Sequence, residues 1–302
     1  MHDCRQPYTC RAGFSARPDP LQGWRLGADM ASSLVLEEIL PDGQRHAFLR
    51  GPLYAGVKLT GEIVSRTFHG LVPGTSYFAG VTHRRNDTLF GADRMLCAEL
   101  HVDGVCRSRV FSCVDALNRD GALFTATAAE HTVALVAVDC EDGPGSYPNV
   151  DISGFEVKEP LYLRSVFSDG RLDGWEIGPE PGGHGFDDGN LVLQGNGRRE
   201  ETALGRRIEG LEPGSSYVIE MRISGAQALS GQVAAELVLA VDGVSYINDD
   251  HIIQPGDAVR TLTRSFTATT SSVYCALESF QPARVDLLVQ DITVREELPV
   301  YG

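Results

Sequence analysis

The feature that most constrains this chain is a long-range echo. The stretch "HGLVPGTSY" at His69–Tyr77 returns as "EGLEPGSSY" at Glu209–Tyr217, 140 residues later from Gly70 to Gly210. Solenoid repeats recur every 20 to 50 residues or so, roughly; this displacement is the size of a whole domain. The flanks echo as well. Leu21-Gln22-Gly23-Trp24 is answered by Leu172-Asp173-Gly174-Trp175, and "ELHVDG" ending at Gly104 by "LVLAVDG" ending at Gly243. Phe124-Thr125-Ala126-Thr127 is answered by Phe266-Thr267-Ala268-Thr269, and Gly154–Glu159 by Asp291–Glu296. In chain order the displacements are 151, 140, 139, 142 and 137, so loops differ in length while the landmarks keep their order. Chance matches would not stay collinear. The chain reads as two homologous domains, 1–160 with a short N-terminal extension and 161–302, joined by a linker around Pro160 that is too short and apolar for free tumbling.

The 302 residues suffice for two sizeable cores, and the hydrophobic share of 42% is that of a globular chain. No apolar run of about 18 residues occurs, so no helical membrane span is expected. The net charge of −15 is the opposite of what neutralising phosphates requires, which argues against nucleic acid or an anionic bilayer as partner. The N-terminus, Met1–Pro7, lacks the apolar core of a secretory signal, pointing to a cytoplasmic protein, one exported by another route, or a trimmed chain. Seven cysteines are present, none in C-x-x-C spacing. Cys97, Cys113 and Cys275 sit in apolar or strand-like runs and read as buried free thiols; Cys4, Cys10, Cys106 and Cys140 leave room for a disulfide without demanding one.

Between the landmarks lie short runs rich in Val, Leu, Ile, Thr, Phe and Tyr, punctuated by Pro73-Gly74, Pro213-Gly214, Asp103-Gly104 and Asp242-Gly243. Period-two alternation in Tyr217–Ile223 and the turn spacing predict an all-β chain of antiparallel sandwiches. The one passable helix is Ala31–Ile39. The "L-x-P-G-[ST]-S-Y" stretch reads as a corner: Pro presets φ, Gly accepts positive φ, and Tyr77 or Tyr217 opens the next strand facing inward. Trp24 and Trp175, matched in place, are expected in the cores.

This ordered set of motifs resembles carbohydrate-binding modules of families four and nine, which are galactose-binding-like jelly rolls, over Phe14–Glu159 and again over Phe167–Glu297. The resemblance implies two tandem jelly-roll β-sandwich domains and an oligo- or polysaccharide partner. It also implies a shallow groove on a concave sheet face or at loop tips, where rings stack on sugars and carboxylates, amides and Arg bond hydroxyls. A structural calcium on a last-strand acid is part of the pattern. Asp291 holds that place in the second half, with Asp169 or Asp173 as early partners; Gly154 holds it in the first.

Strand parity then places the candidate ligands. With Tyr217, Ile219, Met221, Ile223, Leu237, Leu239, Val241, Val273, Cys275 and Leu277 inward, one outward face is expected to carry Glu220, Arg222, Glu236, Tyr274 and Glu278. In the first half Phe78, Gly80, Thr82 and Arg84 point outward, as do Glu99 and His101. The run Val133–Val138 is apolar on both faces and wants cover, so the first half reads as the more structural. Tyr54, Tyr147, His184, Phe186, Tyr246 and His251 are alternatives for a tip site, and Asp187-Asp188 or Asn248–His251 for a cation. No G-x-S-x-G, H-E-x-x-H or phosphate loop occurs, so no catalytic residue is expected, although a glycoside hydrolase needs only two carboxylates. The reading reached is a non-catalytic, lectin-like carbohydrate-binding protein, with a structural or adhesion protein (a surface, phage-tail or toxin-complex component) and a glycan-active enzyme as the alternatives.

Overall fold

The computed structural model describes residues 8–14, 21–31, 33–40, 43, 45–51, 59–85, 96–112, 117–138, 150–178, 183–194, 201–226, 235–244, 252–279 and 286–298. The chain divides into two compact units at Pro160/Leu161, the second running Leu161–Glu297. The first holds β1 (Thr9–Gly13), β2 (Trp24–Leu26), β3 (Leu34–Ile39), β4 (Arg45–Arg50), β5 (Gly61–His69), β6 (Ser76–Arg85), β7 (Leu96–Val102), β8 (Val105–Ser112), β9 (Asn118–Thr125), β10 (Glu130–Ala137) and β11 (Val150–Lys158). The second holds β12 (Tyr162–Val166), β13 (Glu176–Ile177), β14 (Gly183–Asp187), β15 (Asn190–Gln194), β16 (Glu201–Glu209), β17 (Ser216–Gly225), β18 (Ala235–Val241), β19 (Ile252–Ile253), β20 (Arg260–Thr267), β21 (Ser272–Ser279) and β22 (Leu287–Glu297).

Each unit is a jelly-roll sandwich of two antiparallel sheets. In the first, β3-β4-β11-β6-β9, with β1 added on β11, faces β2-β5-β10-β7-β8; in the second, β14-β15-β22-β17-β20, with β12 on β22, faces β13-β16-β21-β18-β19. Ala31–Ile39 is not a helix. A single 3-10 turn at Ala28–Met30 precedes β3, whose β-branched and apolar residues pair with β4.

The repeated motifs turn out to be bonded to one another. In the corner, Gly74 and Gly214 take φ of 86° and 89°, and their N–H groups donate to Ala126 O and Ala268 O of the "FTAT" strands, both at 2.8 Å. The hydroxyls of Tyr77 and Tyr217, buried in the cores, accept the N–H of Val72 at 3.0 Å and of Glu212 at 2.8 Å. Each Asp-Gly pair has both residues at positive φ, the geometry of a tight hairpin turn. The carboxylates of Asp103 and Asp242 accept the N–H of Thr132 and Tyr274, at 2.8 and 2.7 Å. A bulge skips Ser153 on β11 and Gln290 on β22, so Gly154 and Asp291 are equivalent, as the sequence alignment implies.

Inward parity holds in both cores. Tyr217, Ile219, Met221, Ile223, Leu237, Leu239, Val273, Cys275 and Leu277 are buried together, as are Tyr77, Ala79, Val81, Leu100, Val133 and Leu135 in the other unit. Trp175 is buried with its indole N–H on Ser165 Oγ at 3.1 Å. Trp24 is only half-buried, stacked on Phe14 with Arg66 over its ring.

Cys97 is disulfide-bonded, a correction to its reading as a free thiol. With Cys10, Cys106 and Cys275 free, its partner is one of Cys4, Cys113 and Cys140, all three of which lie outside the described residues. Cys275 is a free buried thiol whose pKa burial pushes up to about 12, which leaves it inert.

Candidate functional site

The five residues expected on one face of the second unit lie on two. Glu220 and Arg222 are on β17, whose neighbours are β20 and β22; Tyr274 and Glu278 are on β21, and Glu236 on β18, in the opposite sheet. All were assigned outward by parity. In a sandwich, however, outward on one sheet is the far side of the molecule from outward on the other. The first unit splits the same way, Arg84 on β6 and Glu99 with His101 on β7.

On the β17 side, the charges satisfy one another. Asp291, directly opposite Arg222, accepts from Arg164 at 2.9 Å and Arg222 at 3.3 Å, and Arg295 donates to Glu220 at 3.1 Å. Asp291 therefore does not suit the calcium role. Two guanidiniums occupy its carboxylate, and calcium takes six to eight oxygens, roughly. Among the described residues no cluster of acids gathers around it. Arg84 is likewise engaged: its guanidinium lies 4.3 Å above the Phe48 ring and shares Asp151, fully buried, with Arg50, which is bidentate at 2.8 and 2.7 Å. On that face Phe48 and Phe78 point outward yet are 1% and 0% exposed.

The β16–β21–β18 face of the second unit is different. Small residues form a row across it, Gly205 opposite Ala276 and Ala276 opposite Ala240. Tyr274 lies across this row. A Cβ built on Gly205 would stand 1.9 Å from the Tyr274 hydroxyl and 2.5 Å from its Cζ, so the phenol rests where only glycine leaves room. The ring remains half-exposed, with Arg207 opposite it on β16. Four residues along β21, Glu278 stands on the same face, about 13 Å away at strand rise. Burial pushes its carboxyl pKa up, the mark of a carboxylate with no cation beside it among the described residues. On the β18 side Val238 and Ala240 are buried, so the accessible part of the face runs from Tyr274 to Glu278. Glu236 belongs to β18, its side chain outside the described residues.

The first unit shows what this position looks like without the ring. Thr132 stands where Tyr274 does, held by the same Asp-Gly turn, and Ser65 where Gly205 does, on the strand paired with it. The result is an open cavity of about 220 Å³ lined by Gly23, Trp24, Arg25, Ser65, Arg66, Thr67 and Thr132. Further along the same sheet Glu99 and His101 bond each other, Oε2 to Nε2 at 2.9 Å, with the Cys106 thiol beside them. The hydrogen bond from His101 holds the Glu99 carboxyl below its usual range, and partial desolvation followed by Glu99 raises the thiol. Ala134 on this outer face is buried and Val136 half-buried. Of the loop-tip alternatives, His184 and Phe186 lie exposed on edge strand β14 and Asp187-Asp188 at its turn; Tyr54, Tyr147, Tyr246, His251 and Asn248–Asp250 lie outside the described residues. Two features were missed by sequence reasoning: the glycine seat of Tyr274, and Cys106 as neighbour of His101.

No protein-family model and no curated protein sequence matches the chain. Among solved structures it is similar to the N-terminal tandem of two family-22 carbohydrate-binding modules of Paenibacillus barcinonensis Xyn10C, at 10% identity over 97% of each chain and a TM-score of 0.34. It is also similar to a family-15 xylan-binding module, 12% identical over 46% of this chain and 98% of that one, with a TM-score of 0.35. Tandem family-51 modules of a family-98 glycoside hydrolase from Streptococcus pneumoniae are 11% identical over 85% and 87%, with a TM-score of 0.25. These modules belong to families 22, 15 and 51, not to four and nine, and at such identities the fold is read from the strand order given above and the function from the site.

Proposed function

We propose that the chain is a non-catalytic carbohydrate-binding protein that takes an oligo- or polysaccharide on the outer β16–β21 face of its second unit. The observation that carries this reading is the half-exposed phenol of Tyr274 resting over Gly205, four residues from Glu278, which is partly desolvated and has no cation beside it among the described residues. A partly exposed ring can offer its face to the apolar side of a pyranose, as it would to another π or C–H surface. Glu278 accepts sugar hydroxyls, a charge-assisted bond that also relieves its desolvation. Arg207 and Thr202, opposite Tyr274 and Glu278, flank the path. The span between ring and carboxylate exceeds one sugar ring, which favours an oligosaccharide over a monosaccharide.

A glycan array together with a reducing-sugar assay tests the reading. Binding without turnover, abolished or weakened in Tyr274→Ala, is the expected result. Release of reducing ends would make the protein an enzyme, and no binding to any glycan would leave Tyr274 as a cover for Gly205, the way aromatic residues shield glycines in sheets.

A further inference from the structure

We propose that Glu99, His101 and Cys106 form a binding site for one borderline divalent cation of the zinc class on the outer face of the first unit. The hairpin geometry assembles the set. β7 and β8 are joined by the tight Asp103-Gly104 turn, whose register sets Val105 opposite Val102 and Cys106 directly opposite His101, with Glu99 two residues along β7 on the same face. The three donor atoms, Oε of Glu99, a ring nitrogen of His101 and Sγ of Cys106, all lie within 4.8 Å of one another.

Tetrahedral zinc with Zn–S of about 2.3 Å and Zn–N or Zn–O of about 2.0–2.2 Å separates its donors by about 3.3–3.8 Å. Side-chain torsions alone close the remaining distance, since the strands already hold all three residues at the right places. The cation would stand between Glu99 and His101 in place of their 2.9 Å hydrogen bond. Thiolate, imidazole and carboxylate together suit zinc, and cobalt as its spectroscopic stand-in; calcium and magnesium prefer oxygen alone. The two anionic ligands neutralise a dication, with Arg109, opposite Glu99, as the flanking positive charge. Cys106 is exposed, so the fourth coordination position opens to water, as in sites built from three protein ligands. This inference does not rest on the sugar reading, which lies in the other unit.

The test is a cobalt titration of the metal-stripped full chain, followed by zinc competition and by alkylation of Cys106 read by peptide mass mapping. A saturable thiolate-to-cobalt charge-transfer band at one cation per chain is expected, displaced by zinc and absent in Cys106→Ser. Affinity should fall at least about tenfold in His101→Asn, the scale on which even indirect partners of a metal act, and zinc should protect Cys106 from alkylation in the wild type. Cys106 is exposed and its serine variant should melt with the wild type, which keeps the result independent of folding. A missing band, a band that survives Cys106→Ser, or unchanged affinity in His101→Asn would overturn the proposal.

Discussion

Gly205→Ala should abolish the sugar platform without touching the residue that forms it. The added methyl would stand 1.9 Å from the Tyr274 hydroxyl, 2.5 Å from Cζ and 3.2 Å from Cε1. All three atoms belong to the far end of one rotatable side chain, so the ring swings away while the backbone stays. Stacking on an aromatic face is worth about 0.5–1.5 kcal/mol beyond simple burial; with about 1.4 kcal/mol per factor of ten, affinity should fall by about two- to tenfold. Tyr274→Ala should lose the same amount. The stability terms oppose each other: alanine in a strand gains about 0.5–1 kcal/mol over glycine, while the displaced ring loses its packing, so the melting temperature should move by no more than about 4 °C. Isothermal titration against the tightest glycan of the array, with thermal unfolding alongside, reads both quantities. If Gly205→Ala keeps full affinity while Tyr274→Ala loses it, the ring does not act from its seat over Gly205. If both bind as the wild type does, the platform is not a binding surface at all.

Glu278→Gln should separate stability from binding. Its folded pKa is raised by burial, so the fold holds this proton more tightly than the unfolded chain, and the ionised form costs stability above the folded pKa and costs nothing below the ordinary 4.5. The variant should therefore melt higher than wild type at pH 7, converge with it below pH 4.5, and bind sugar about tenfold more weakly or worse through loss of a charged acceptor; a lower melting temperature at pH 7 contradicts the assignment. Arg222→Ala should leave sugar affinity unchanged, because Arg222 is on the other sheet and Arg164 still holds Asp291; a tenfold loss by titration would move the site to the β17 face. Tyr77→Phe and Tyr217→Phe should each cost about 1–3 kcal/mol in urea unfolding by stranding the N–H of Val72 or Glu212, and equal stability to wild type would remove the corner from the account.

The corner, the Asp-Gly hairpins and the "FTAT" strands were legible because their chemistry is local. A glycine at positive φ or a carboxylate capping the next strand leaves its mark within a few residues. Strand parity was legible too, since alternation is a property of each strand by itself. Sheet membership was not. A jelly roll sends successive strands to opposite sheets, so Glu220 and Tyr274 share outward parity and face away from each other. Ala31–Ile39 misled because an apolar run of that length serves helix or strand, and pairing with β4 decided it. Cys106 did leave a signal: folding the chain about Asp103-Gly104 brings it close to His101 without any structure. Asp291 was aligned correctly with Gly154, but the arginine that neutralises it directly opposite, Arg222, comes from a strand about 70 residues away, where spacing carries no information.

The duplication explains why the fold was easier to read than the site. Residues that match between the copies are those the backbone needs, and these are turns, caps and core. At Thr132 and Tyr274 the same aspartate accepts the same backbone N–H, so the register is set without the side chain, which is then free to differ. The neighbour differs with it: Gly205 lies beneath the ring of Tyr274, whereas Ser65 and Thr132 line an open cavity. A tyrosine at the place of Thr132 in the first unit would meet the Cβ of Ser65, and a threonine at the place of Tyr274 in the second would leave Gly205 uncovered, so each neighbour suits the side chain that its own copy carries. A search for repeats discards both members as mismatches, although it is at these mismatches that one copy offers a ring and the other a cavity.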